Sequence, residues 1–96
     1  MRVISGKKLR EFWKLHPDAE QPLKSWYAEA TKASWSNFAQ VKAMYGSADM
    51  VDERIIFNIG SNKYRLVVLV DFTRYSFLVR FVGPHREYDK MEVRSV

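Results

Sequence analysis

Three runs decide the fold of this chain: Arg54-Ile55-Ile56-Phe57-Asn58-Ile59, Lys63-Tyr64-Arg65-Leu66-Val67-Val68-Leu69-Val70-Asp71-Phe72 and Tyr75-Ser76-Phe77-Leu78-Val79-Arg80-Phe81-Val82. Each is rich in β-branched and aromatic residues, and they are separated by Gly60-Ser61-Asn62 and Thr73-Arg74. Tight turns between such runs predict an antiparallel meander. Strand side chains alternate between faces. Tyr64, Leu66, Val68, Val70 and Phe72 therefore share one face of the middle run, and Lys63, Arg65, Val67, Leu69 and Asp71 the other. With turns of even length, Ile55, Phe57, Val79 and Phe81 join the apolar face, while Arg54, Asn58 and Arg80 join Arg65. A bulge would break this register for one strand.

Upstream, the hydrophobic period changes. Leu9, Phe12, Trp13 and His16 recur at helical spacing behind Ser5, a candidate cap, and Pro17 ends the run. Asp18 and Gln21 read as a capping box for a second helix carrying Leu23, Trp26, Tyr27 and Ala30, with Pro22 in its first turn. Arg2-Val3-Ile4 reads as a short strand before both. From Thr31 to Asp52 no period dominates. Trp35, Phe38, Val41, Met44 and Tyr45 are expected to anchor an ordered loop with a helical turn. Helices first and a sheet afterwards predict an α+β, two-layer domain, an N-terminal helical hairpin packed on an antiparallel β-sheet. At 96 residues and 11.3 kDa, positions 1–96 suit one domain. A composition 47% hydrophobic and 15% aromatic can fill its core, which argues against disorder.

Several function classes are excluded early. The longest apolar run, Leu66-Val67-Val68-Leu69-Val70, is far below the roughly 20 residues of a membrane-spanning helix. Met1–Lys8 has no apolar stretch behind its charges, so no signal peptide is expected and the protein reads as cytoplasmic. There is no cysteine, hence no disulfide, zinc knuckle or thiol nucleophile. His16 and His85 are too few for a histidine-rich metal site, and no cofactor is expected. The net charge of +5 favours polyanionic partners. Between Arg54 and Arg86 lie six bases (Arg54, Lys63, Arg65, Arg74, Arg80, Arg86) and one acid, Asp71, which together carry the whole of that charge.

Directly after the third run comes Gly83-Pro84-His85-Arg86-Glu87-Tyr88-Asp89-Lys90. Its imidazole can exchange a proton near neutral pH, and its phenol and cations can stabilise a departing oxygen or a developing phosphorane. RNA cleavage through the 2′-hydroxyl needs little more: in-line geometry, a base, an acid and cations on the non-bridging oxygens. Arg65, Arg80, His85 and Tyr88 are the candidate catalytic residues. Arg54, Asn58, Lys63, Arg86 and Lys90 are the candidate RNA-binding ones. His16 reads instead as a core-boundary histidine or a helix C-cap. Glu87, Asp89 and Glu92 read as partners of nearby bases.

The stretch from Phe57 to Val67, with its Phe-Asn-x-Gly-x-Asn-x-x-Arg pattern, and Phe81–Lys90, with His-x-Glu-Tyr-Asp, resemble the HigB family of bacterial type II toxins, within the RelE/ParE superfamily. The likeness covers nearly the whole chain. It implies a RelE-like fold and an mRNA interferase acting on translating ribosomes. It also implies a cognate helix-turn-helix, HigA-like antitoxin, with operator DNA bound only through that antitoxin. In this resemblance Arg65 takes the place of the superfamily's phosphate-stabilising arginine, His85 that of a catalytic basic residue, and Tyr88 lies near its C-terminal catalytic tyrosine. RelE-like toxins can carry lysines on the strand before the central one. This chain has Ile56 and Asn58 there, which shifts the expectation to His85, with Asn58 and Lys63 taking part of the lysine role. Two rivals share these features: a ParE-like topoisomerase inhibitor, and a non-catalytic module that only binds RNA or protein.

Overall fold

A computed structural model describes all 96 residues. In chain order the elements are β1 (Arg2–Ile4), α1 (Lys7–Leu15), a 3₁₀ turn (Pro17–Ala19), α2 (Glu20–Lys32), α3 (Phe38–Met44), β2 (Asp49–Val51), β3 (Arg54–Ile59), β4 (Tyr64–Asp71), β5 (Ser76–Pro84), α4 (His85–Lys90) and a last 3₁₀ turn (Val93–Ser95). The sheet runs β1-β5-β4-β3-β2. The expected meander, β3 to β5, is antiparallel, and β2 adds to β3 in the same sense. β1 joins β5 in parallel, so the complete sheet is mixed. Helices α1 and α2 pack on one face, giving the two-layer α+β plan.

Both hairpin loops, 60–63 and 72–75, have the even length the face assignment requires. Gly60, Ser61 and Asn62 turn the first with φ of 63°, 54° and 73°, a left-handed run that begins on the one residue with no Cβ to clash. Register then holds across β3 and β4, with Asn58 opposite Arg65 and Phe57 opposite Leu66. It slips once in β5. Val68 pairs with Val79, but Val67 pairs with Phe81, leaving Arg80 unpaired at a β-bulge. The expectation for Phe81 is therefore corrected: it lies on the face away from the helices, and Val82 packs toward the core instead. Arg80 is likewise displaced from Arg65. It lines a surface cleft with Lys8, Glu11, Phe12 and Leu15 of α1.

The Phe81 ring lies against Gly83, where an added Cβ would stand 2.6 Å from it. Gly83→Ala should therefore push the ring off its seat and destabilise the domain by about 1–3 kcal/mol. Urea unfolding checks this, since a neutral result would mean that the ring moves freely.

The main core lies between the helices and the sheet and is aromatic at its centre. Trp26 of α2 meets Phe57 edge-on at 5.4 Å and stacks on Phe77 at 6.0 Å, while Trp35 also stacks on Phe77 at 5.9 Å. Trp35 thus anchors the segment whose sequence gave no period, as expected. That segment is also more regular than expected: Asn37 caps α3 by accepting from the Gln40 N–H at 3.0 Å, and β2 forms a sheet edge. Two capping expectations fail. Ser5 has φ of 66° and gives no side-chain cap to α1, whose N-cap is Gly6. Asp18 caps no helix, because its carboxylate accepts from Lys63 and from the Tyr64 hydroxyl across the domain.

The sheet's second face is not left wet. Ile56 and Val67 are buried there, outside the main core. Helix α4 folds back against β4 and β5, and the Arg54 Nε donates to the Val96 carbonyl at 3.1 Å. Ile56 and Val67 thus form a minor core on this face, with Phe81 paired opposite Val67. No helix is long and apolar enough to cross a membrane.

Candidate functional site

The site forms at the end of the sheet, around the turn joining β3 to β4. Arg65 is only 9% exposed, and its Nη1 donates to the carbonyls of Asn62 at 3.1 Å and Tyr64 at 3.5 Å. The carbonyl between those two, on Lys63, accepts the backbone N–H of His85 at 3.2 Å. Three successive carbonyls of one turn therefore anchor the Arg65 guanidinium and the backbone of His85. Arg65 has no carboxylate partner: the acidic groups near the turn are engaged elsewhere, Asp18 with Lys63 and Asp89 with His85. An unneutralised charge that is nine-tenths buried is costly by itself and is relieved by an incoming anion.

His85 opens α4 immediately after Pro84, whose extended backbone ends β5. One turn later Asp89 accepts from its Nδ1 at 2.9 Å, which leaves Nε2 as the ring's free nitrogen. The side chain is half exposed, with Arg86 beside it. Lys90 lies one turn beyond Arg86 on the same exposed helix flank. Tyr88 is half-buried on α4. Burial raises its phenol pKa above the ordinary value; the nearby Arg65 opposes that shift, and Asp49 and Asp89 add to it. The phenol therefore stays protonated at neutral pH and can donate a hydrogen bond.

The remaining expected RNA-binding residues are more constrained. Asn58 sits opposite Arg65, but its Nδ2 donates to the Ser47 carbonyl at 3.3 Å. Arg54 shares that face toward the other end of β3 and is bound to Val96. Lys63, expected beside Arg65, reaches Asp18 on the helix side. That contact, with the Tyr64 hydroxyl bond, lowers the Asp18 pKa and raises those of Lys63 and Tyr64. For Asp18, a depressed folded-state pKa means stability present above the ordinary carboxylate value of 3.8 and lost as pH falls through the lower folded value. Asp18→Asn should accordingly lower the thermal midpoint at pH 7, and the difference should vanish on strong acidification. A gap that persists in acid would assign the effect to packing.

Beside the turn opens a cleft of about 380 Å³ lined by His16, Lys63, Tyr64, Pro84, His85 and Arg86. His16 caps the C-terminus of α1, as expected, yet it also stands in the same cleft as His85. Sequence spacing placed it on a helical stripe and could not show what the Pro17 turn aims it at. The largest cavity, about 550 Å³, is elsewhere and is lined by Glu53 and Asp71 with no base, a poor place for phosphate. No three imidazoles or carboxylates converge into a metal-ligating group.

A helical hairpin on this sheet, with a buried unpaired arginine and an imidazole at the sheet's end, defines a RelE-like α+β domain. Residues 19–91 match the HigB toxin family, described as the RelE-like toxic component of a toxin–antitoxin system, and the chain belongs to that family. It is similar to the mRNA interferase toxin HigB of Escherichia coli strain K12, with 28% identity over 93% of this chain and 88% of that protein. The mRNA interferase HigB of Shigella flexneri matches to the same extent. That of Escherichia coli O6:H1 is 23% identical over 95% of this chain and 91% of its own length.

Proposed function

We propose that this toxin is a metal-independent endoribonuclease that cuts mRNA on the translating ribosome in the bacterial cytoplasm. The observation that carries the reading is the shared anchorage of Arg65 and His85 on the Asn62–Tyr64 carbonyls. It ties a cation without a counter-ion and a half-exposed proton-transfer group to the same turn. Arg65 holds the non-bridging oxygens of the scissile phosphate, Tyr88 donates to the same group, and the His85 Nε2 takes the 2′-hydroxyl proton. Arg86 and Lys90 hold the backbone to either side, so binding weakens as salt rises. Arg80, carried away by the bulge, has no part in this site. Membership of a toxin–antitoxin family implies a cognate antitoxin. We assign that role to a HigA-like helix-turn-helix protein through which the pair reaches operator DNA.

Translating ribosomes programmed with a defined mRNA supply the test. Added toxin should create new 5′-hydroxyl ends within the coding region. Intact transcripts together with inhibited supercoiling would transfer the protein to the ParE-like reading; intact transcripts and untouched supercoiling would leave a binding module.

A further inference from the structure

We infer that His16 is a second proton-transfer residue of this reaction, the acid opposite His85; the inference rests on the ribonuclease reading above. Both imidazoles line the one cleft at the end of the sheet, together with Lys63 and Arg86. Two proton-transfer groups facing a single cationic cleft match a reaction that must remove one proton and deliver another.

His16 is held for such a task. Its backbone N–H donates to the Phe12 carbonyl at 2.9 Å, capping α1. Its ring stacks on Phe12 at 4.3 Å and 18°, and meets the Tyr64 ring edge-on at 5.7 Å. Tyr64 is itself fixed by its hydroxyl bond to Asp18, the carboxylate that also holds Lys63. A half-buried ring clamped by two aromatic side chains loses little further freedom when substrate arrives. Neither of its nitrogens is both fully buried and unpartnered.

The chemistry balances with these groups alone. The His85 Nε2 lone pair takes the proton of the ribose 2′-hydroxyl, and the 2′-oxygen forms a bond to phosphorus. The bond from phosphorus to the 5′-oxygen breaks, and that oxygen takes its proton from His16. The products are a 2′,3′-cyclic phosphate and a 5′-hydroxyl. His85 leaves with one proton more and His16 with one fewer, and solvent restores both. The roles follow from Asp89: its hold on the His85 Nδ1–H leaves Nε2 as the acceptor. His16 then remains on the leaving-group side. The charged and titratable groups facing the pair are Lys63 and Tyr64 from β4 and the turn before it, Arg86 and Asp89 from α4, and Asp18 from the 3₁₀ turn.

The test uses ribosome-bound mRNA carrying a single sulfur in place of the bridging 5′-oxygen at the mapped cut, since a thiolate departs without a proton. His16→Gln should slow cleavage of the all-oxygen message by about 10²–10³-fold. It should recover to near the wild-type rate on the sulfur message, while His85→Gln stays slow on both. The wild-type pH–rate profile should be bell-shaped, and His16→Gln should lose its alkaline limb. His16→Phe, which keeps the stack on Phe12, should behave alike, with circular dichroism verifying the fold of each variant. Near-wild-type cleavage of the oxygen message by both His16 variants, or no rescue by sulfur, would overturn the assignment. A wild-type protein that cuts neither message would instead overturn the ribonuclease reading beneath it.

Discussion

His85→Gln is expected to lower mRNA cleavage on the ribosome by about 10²–10⁴-fold, the usual worth of a positioned proton-transfer group. The fold should survive, because the contact tying His85 to the turn is its backbone N–H on the Lys63 carbonyl, and glutamine keeps that donor. What is lost is the nitrogen proposed to accept the proton. Asp89 should show a smaller effect than His85. Asp89→Asn keeps an acceptor for the Nδ1–H but weakens the hold on the ring, so it should slow cleavage without abolishing it. Single-turnover rates on programmed ribosomes separate the cases. Equal losses in both variants would mean that Asp89 takes the proton itself, and an unaffected His85→Gln would remove the imidazole from the mechanism.

The second large effect falls on stability. Phe77 is fully buried on β5, where it pairs with Val70 on one side and Val3 on the other. Its ring touches those of Trp26, Trp35 and Phe57. Phe77→Ala would leave these rings lining a cavity that neighbours anchored in three different segments cannot collapse to fill. The expected loss is about 3–5 kcal/mol. Set against a total of about 5–15 kcal/mol for a domain, this would leave the variant barely folded at 37 °C. Denaturant midpoints measure it directly. A loss under about 1 kcal/mol would show that the helices repack and that the aromatic centre is not the keystone of the fold.

The meander was legible in the sequence because period-2 runs and short polar turns dictate strand pairing locally. Asn58 opposite Arg65 followed from the even turn alone. Trp35, Val41 and Tyr45 were recognisable as anchors, whereas α3 and β2 were not, since seven-residue and three-residue elements are too short to display a period. Arg80 and Phe81 were misplaced for one reason. A bulge depends on how β5 must bend to meet both β4 and α1, and no residue in the run announces that bend. The cap expectations at Ser5 and Asp18 failed because a distant partner outcompeted a local one: Lys63 and the Tyr64 hydroxyl claimed a carboxylate that a helix start could have used.

By itself the sequence determined the class of fold, the residue types available for chemistry and, through the motifs around Arg65 and His85, the family. These are consequences of hydrophobic period, charge and local spacing. Only tertiary structure decided where each base sits and what holds it. It buried Arg65 and drew Arg80 off to α1, and it occupied Lys63, Asn58 and Arg54 with partners from remote parts of the chain. It also brought His16 into the cleft that His85 lines. Charges attract or repel according to distance and burial, and neither quantity exists for residues far apart in sequence until the chain has packed.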